Sequence, residues 1–157
     1  MWKEKTTGWV HDNNNIKGFF EEYRYLSNFH LCPVMFDGVI YPSSENAYMA
    51  AKTLDLKLRK RFEIIAPNKA KKLGQEIEVR DDWENIKLEI MDRILTDKFY
   101  RNLEEREKLL STENKYLEET NWWGDRFWGV CKGTGANNLG LILMKIRDNY
   151  FYSTIIC

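Results

Sequence analysis

FDGVIYPSSENAYMAAK, residues Phe36 to Lys52, decides how the rest of the chain is read. Asp37-Gly38 stands between two apolar runs, which is the composition of a tight β-hairpin turn. Pro42 closes the second strand. Ser43 is placed to cap a helix, with Glu45 in the first turn, where the helix dipole favours negative charge. The pattern predicts a helix from about Ser44 to Phe62. On a 3.6-residue wheel Ala47, Ala51, Leu54 and Leu58 share one face and read as a core-packing stripe. Glu45, Tyr48, Met49 and Lys52 share the opposite face, pointing away from that packing partner. Glu45 and Lys52 are separated by roughly 10 Å of helix rise, too far for a direct pair but within reach of a ligand held between them. A solvated helix face, with Lys52 paired elsewhere, explains the same residues.

Working outward, residues Phe19 to Ile40 read as short strands and turns. Downstream, APNKAKKLG places Pro67 at a helix start and Gly74 just past its end. QEIEV alternates like a short strand. RDDWENIKLEIMDRILTDKFYRN carries the strongest helical pattern, with Asp81 and Glu84 as a capping box and Trp83, Ile86, Ile90 and Ile94 on its buried face. LEEREKLLST extends helical character to about Ser111. TNWWGDRFWGVCKGTGANNLG is rich in Gly and Trp and non-periodic, so it reads as loop or strand-loop. A last helix is predicted from about Asn138 to Phe151, buried through Leu139, Ile142, Leu143 and Ile146. The expectation is one α+β domain over residues 1–157, mostly helical, with a small β-sheet built mainly from the N-terminal third.

Composition narrows the function classes. The 157 residues are 43% hydrophobic and 31% charged, as in a globular domain. Lys plus Arg and Asp plus Glu are both 24, so no global basic field points to nucleic acid. Cys32, Cys131 and Cys157 are scattered and odd in number, which fits a reducing compartment. MWKEKTTGWV has no apolar core of a signal peptide, and no apolar run reaches the ~18 residues of a membrane span. A cytoplasmic location and no membrane partner are expected. With two histidines and no clustered His/Cys spacing, a zinc site or a Ser-His-Asp site is not expected. GTGANNLG misses the dinucleotide-binding pattern and lacks its strand-helix context.

What remains is carboxylate, lysine and aromatic chemistry. Besides Glu45 and Lys52, Asp125 lies between Trp123 and Trp128, flanked by Gly124 and Gly129. It reads either as a carboxylate with a raised pKa that stabilises a developing cation, or as a turn Asp capping local backbone. In YRYLSNFH, Asn28 and Phe29 read either as a polar and stacking pocket wall or as a core edge with a turn Asn. KLRKR reads either as a basic guide for a modified nucleic-acid strand or as a solvated helix end, and the second is the simpler.

Taken in order, these elements resemble the NADAR (YbiA-like) family of N-glycosidases from about Gly18 to Phe151. YLSNF is similar to the family's S-N-F element. DGVIYPSSENAYMAAK resembles its D-G-x-x-[WY]-x-[TS]-x-E-H-x-[FY]-x-x-x-K element. AKKLGQEIEVRDDWENIKLEIM resembles L-G…R-x-D-W…K…M. LLST and DRFWGVCKGTGANNLGLILMKIR are similar to L-L-x-T and D-x-x-W-G…G-x-N-x-L-G-x-x-L-M-x-x-R. The chain departs from the family at Asn46, where His is usual, at Met49, where Gln is usual, and at Thr53, where an aromatic is usual.

The resemblance implies cleavage of a C–N bond between a ribose and a nitrogenous group. The substrate is then ADP-ribose on guanine in nucleic acid or a related conjugate, or a phosphoribosylamino-pyrimidine intermediate of riboflavin synthesis. A non-catalytic ADP-ribose or nucleotide-binding module would use the same aromatics and turns. In the enzyme reading Glu45 and Asp125 stabilise an oxocarbenium-like state and handle protons or water, in either order. Lys52 attacks C1 as a free amine and forms a Schiff base, as the resemblance suggests. Trp128 and Phe29 stack on the base or wall the ribose, with Tyr48, Trp83 and Gly129 alongside. Arg80 and the Asn137 to Gly140 turn hold phosphate at a helix N-terminus. No metal, redox cofactor or obligatory protein partner is expected.

Overall fold

The computed structural model describes residues 10–155. Cys157 and most of MWKEKTTGWV lie outside the described residues. The architecture is α+β and mostly helical, and the chain divides into two units. One unit is Asn28–Arg106; the other joins the segment ending at Ser27 to the segment from Glu107 onward.

The Asn28–Arg106 unit starts with the expected hairpin. Strands β3 (Leu31–Phe36) and β4 (Val39–Ser43) pair antiparallel, with Phe36 opposite Val39 and Val34 opposite Tyr41. Asp37 and Gly38 both have positive φ, 48° and 79°, the backbone of a hairpin turn that follows the natural twist of the strands. The register shifts between Leu31 and Val34, the stretch that contains Pro33. Cys32, Val34 and Phe36 face the core in strict alternation. β3 packs on the long helix α4 (Trp83–Arg101), whose Asp97 accepts from Met35 N at 2.6 Å.

Helix α1 (Ser44–Ala51) follows the hairpin directly, and Ser43 Oγ caps it by accepting from Asn46 N. It is shorter than its sequence suggests. The single helix predicted to Phe62 is broken after Lys52, and α2 (Leu56–Arg61) starts afresh. Two side chains divert the backbone: Thr53 Oγ1 accepts from Asp55 N, and Asp55 Oδ1 accepts from Lys57 N and Leu58 N. Local bonds of this kind compete with helix propagation. The predicted wheel fails with the helix. Leu54 is exposed, and every residue of α1 is buried, including the face expected to point away. α1 is packed by β3, β4, α3 (Pro67–Glu76) and α4.

Other boundaries also differ. Gly74 lies inside α3, not beyond it, and no strand forms at QEIEV. A Cβ on Gly74 would run into Met49, so the glycine is what lets α3 approach α1. The capping box at α4 is absent: Asp82 takes the N-cap position without a side-chain cap bond and pairs with Arg80 instead. Asn102 separates α4 from α5 (Leu103–Leu110).

In the other unit, β1 (Val10–His11) pairs antiparallel with β2 (Asn15–Lys17), and β2 pairs parallel with β5 (Tyr116–Glu118). β6 (Thr120–Asn121) and β7 (Val130–Cys131) form a further parallel pair. Most of the strand structure comes from the N-terminal third, as expected, and the segment 116–131 adds three short strands. Helix α6 (Asn138–Ile155) buries Leu139, Leu143 and Ile146, while Ile142 is partly exposed. Arg147 is buried on α6 and donates to Thr112 Oγ1 and Lys115 O.

Candidate active site

In the Asn28–Arg106 unit, α1 presents Glu45, Tyr48, Met49 and Lys52 at successive turns of one face. Glu45 is 6% exposed and sits in the first turn, where its backbone N–H donates to Asn28 O at 3.0 Å. That bond places Asn28 beside the carboxylate-bearing end of the helix. Asn28 is buried, its Nδ2 donates to Met91 Sδ, and its Oδ1 has no partner. A buried acceptor without a donor is costly unless something supplies one, and a bound ligand does that.

Tyr48 packs its ring on Trp83, the first residue of α4, with centroids 4.9 Å apart. Both rings are buried. One turn further along α1, Lys52 points its Nζ at Gly74 O, 3.3 Å away on α3. Its own backbone carbonyl accepts from Arg80 N at 2.8 Å, which anchors the segment leading into α4. Burial pushes the Lys52 ammonium below the ordinary lysine range. Glu45 and Glu84 pull it back up, while Lys87 and Lys71 push it further down. Lys52 is thus a partly desolvated amine among two carboxylates and two lysines.

Sequence reasoning missed Lys71, Glu84 and Lys87 as neighbours of Lys52. No spacing in the sequence signals them, because they come from α3 and α4 and meet α1 only in the folded chain. Lys71 Nζ lies 5.6 Å from the centre of the Phe29 ring, which places Phe29 against a cation. Arg80 is engaged bidentately with Asp82 at 2.6 and 2.9 Å. Asn46, the departure from the usual histidine, is structural. It accepts from Ser43 Oγ and donates to Phe62 O and Ile65 O, tying α1 to the turn after α2.

In the other unit the remaining expected residues build their own loop. Asp125 Oδ1 accepts from Phe127 N and Trp128 N, and Asp125 N donates to Asn121 Oδ1. This is the turn-capping geometry. The Trp128 ring meets Phe127 edge to face at 4.8 Å. Gly129 and Gly140 are close-packing glycines, since a Cβ would strike Glu119 O at the first and Leu117 O at the second. Asn137 is buried with φ 53° and ties Glu119 N, Leu117 O and Tyr116 Oη together through its side chain. The phosphate expectation for this turn meets a physical obstacle. The N–H groups of Asn137, Asn138 and Leu139 already donate to the carbonyls of Gly129, Phe127 and Trp128. Among the described residues no cluster of His, Cys, Asp and Glu is arranged to hold a metal ion, and no helix is long and apolar enough to cross a membrane.

The family model of the NADAR domain matches residues 10–150. The chain belongs to the NADAR family. Its NADAR relatives include N-glycosidase YbiA of Escherichia coli, 35% identical over 139 residues that cover 85% of this chain and 86% of that protein. N-glycosidase Npun_R5314 of Nostoc punctiforme is 30% identical, covering 82% and 86%. A riboflavin biosynthesis protein of Vibrio vulnificus is 35% identical over 82% of this chain, which spans 36% of that longer protein. The solution NMR structure of E. coli YbiA superposes with a TM-score of 0.81 at 31% identity, covering 94% of this chain and 90% of that one. The NADAR assignment and the α+β, mostly helical fold therefore rest on sequence and structure together.

Proposed function

We propose that the α1 stripe is the bond-cleaving site of this chain, with Lys52 as the nucleophile and Glu45 as the carboxylate that stabilises the positive sugar. The chain is an N-glycosidase, in keeping with the names of its YbiA and Nostoc relatives. The observation that carries the site is Lys52 itself, an amine held by partial burial below its ordinary pKa, two turns from a carboxylate on the same helix face.

The reaction follows from those two groups. The unprotonated Lys52 amine attacks C1 of the ribose, the C1–N bond breaks, and the nitrogenous group leaves with a proton. Positive charge that builds on C1 and the ring oxygen is stabilised by the Glu45 carboxylate. Opening of the ring and loss of the amine proton leave an imine between Lys52 and C1. Water adds to the imine, and its hydrolysis restores the amine and releases the sugar. Tyr48 and Trp83 form an aromatic wall beside this path, and Asn28 Oδ1 is an acceptor for a sugar hydroxyl.

Of the two substrates, the phosphoribosylamino-pyrimidine has the support of relatives named for riboflavin biosynthesis, in Vibrio vulnificus and Arabidopsis thaliana. ADP-ribosylated guanine has the support of the family resemblance alone. The test is an assay of both substrates by mass spectrometry, with Glu45→Ala and Lys52→Ala as controls and borohydride added during turnover. A reduced sugar adduct on Lys52 is expected. Turnover without any adduct, or full activity in Lys52→Ala, would refute the nucleophile.

A further inference from the structure

We propose that Phe20, Trp122 and Trp123 form a stacking platform for unpaired bases of a single-stranded nucleic acid. The platform lies in the unit that joins the segment ending at Ser27 to the segment from Glu107 onward, and it does not rest on the chemistry of Lys52.

Two short anchors put the rings in place. Gly18 N donates to Glu118 O of β5 at 2.9 Å, and Phe19 is buried. Phe20 follows, and its carbonyl accepts from Tyr23 N at 2.9 Å to close a tight turn. Trp122 comes directly after Asn121, the last residue of β6. Asn121 is buried, and its side chain clamps the loop shut: Nδ2 donates to Asp125 O at 2.7 Å, and Oδ1 accepts from Asp125 N at 3.1 Å. The clamp encloses Trp122, Trp123 and Gly124, and Gly124 takes the positive φ of 90° that so short a loop requires.

The rings pack as one cluster. Phe20 stacks on Trp122 with centroids 5.5 Å apart and planes 25° apart. Trp123 stands at 83° to both, 4.9 Å from Trp122 and 6.3 Å from Phe20. Even so, Trp122 is 43% exposed and Trp123 44%. Keeping two indoles at the surface forgoes much of the stabilisation their burial would give. Held rings suit stacking, because little side-chain freedom is left to lose on binding.

The occupant follows from charge and from magnitude. Glu21, Glu22, Arg24 and Arg126 adjoin the rings in sequence, are all exposed, and cancel in charge. A duplex, with its bases hidden and its phosphates dense, finds no basic face here. An unpaired base offers a flat π-face, and an N-glycosidase acts on a sugar joined to a nitrogenous group. One base stacked on one ring gains about 5- to 150-fold in affinity, too little to hold a free nucleoside at low concentration. Successive bases of a strand are linked, so two adjacent indoles count together. Trp122 and Trp123 precede the D-x-x-W-G element that starts at Asp125, and so lie outside the family pattern.

Binding is measured by fluorescence anisotropy with labelled strands of about 12 nucleotides: a single strand, the same strand without its bases, and a duplex. The wild type is expected to bind the single strand at least about 10-fold more tightly than either other probe. Trp122→Ala/Trp123→Ala is expected to lose that preference, and Trp122→Tyr/Trp123→Tyr to keep most of it. With Arg24 and Arg126 as the adjoining cations, log K should fall against log salt with a slope no steeper than about −1.4, the value for two phosphates of a single strand. Equal binding of the abasic strand, a steeper slope, or an alanine pair that keeps the preference with unchanged circular dichroism overturns the platform. So does light scattering that shows a dimer of the wild type and a monomer of the alanine pair, since a second copy then covers the rings. The strands are unmodified and no turnover is read, so failure of the Lys52 chemistry leaves this result standing, and failure here leaves Lys52 untouched.

Discussion

Lys52 Nζ lies 3.3 Å from the carbonyl oxygen of Gly74, the residue of α3 at which a side chain would collide with Met49. The close approach of α3 to α1 and the position of the amine are thus set by one glycine. Gly74→Ala tests this. Alanine favours the helix over glycine by up to about 1 kcal/mol. Overpacking against Met49 opposes it by about 1–3 kcal/mol, and the clash extends to Met49 Cβ, which cannot swing away. A net loss of about 1–2 kcal/mol is expected in denaturant unfolding. In a Met49→Ala background the loss should largely disappear. Additivity of the two substitutions within about 0.5 kcal/mol would show that the contact is not what the glycine serves.

The surroundings of Lys52 also predict a pH profile. Its folded pKa lies below the ordinary lysine value, chiefly through burial, and the free amine is the reactive form. Activity should rise with pH as Lys52 loses its proton and level off below the ordinary lysine range. Glu84 stabilises the ammonium, so removing its charge lowers the Lys52 pKa further. Glu84→Gln is therefore expected to move the rising limb of kcat/KM to lower pH. Because Glu84 is exposed, screening by salt weakens the move, which should be larger at low salt. A limb that moves upward, or one that reflects ionisation of the substrate alone, would sink the assignment.

Lys98 makes a stability prediction of the opposite character. It is fully buried on α4, its Nζ 5.2 Å from the centre of the Phe99 ring, and burial lowers its pKa to about 8 despite Cys32 and Glu105. Below about pH 8 both folded and unfolded chains carry the proton, and the burial penalty is present in full. Between about pH 8 and the unfolded value of 10.5 the folded state gives up its proton first, so stability rises with pH. The shift is equivalent to roughly 3 kcal/mol. The Cys32 thiol, raised by burial, acts in the other direction above its ordinary range. Lys98→Met is expected to be more stable than the wild type at pH 7, by up to about 3 kcal/mol, with the advantage shrinking as pH climbs from 8. An advantage that grows with pH over this range would contradict the assignment.

The parts of this molecule that are legible in sequence are those fixed locally. Asp37-Gly38 specifies its turn because few residues accept positive φ, and Ser43 specifies a helix start because its hydroxyl reaches Asn46 N. The break after Lys52 is not legible, since Thr53 and Asp55 also occur in helices and only their bonds to Asp55 N, Lys57 N and Leu58 N decide the outcome. Burial of all of α1 is hidden for another reason. An eight-residue helix with three alanines has little amphipathic contrast, and the elements enclosing it come from both sides in sequence. Glu45 and Lys52 were found from their shared stripe and the family pattern. Lys71 and Lys87 were not, because they come from other helices and meet Lys52 only through tertiary packing.

Asp125 separates a loop-holding role from a charge role. Its Oδ1 secures Phe127 N and Trp128 N, and an asparagine keeps an acceptor at that atom. Asp125→Asn should therefore leave the melting temperature nearly unchanged, with a stability difference within about 0.5 kcal/mol. Asp125→Ala removes the acceptor from two backbone donors and should cost about 1–3 kcal/mol. With the carboxylate work assigned to Glu45, Asp125→Asn is expected to keep kcat within about a few-fold of the wild type, because the loop uses the acceptor and not the charge. A loss of about 100-fold or more at unchanged stability would show that the Asp125 charge itself serves the reaction and would overturn the turn-cap role.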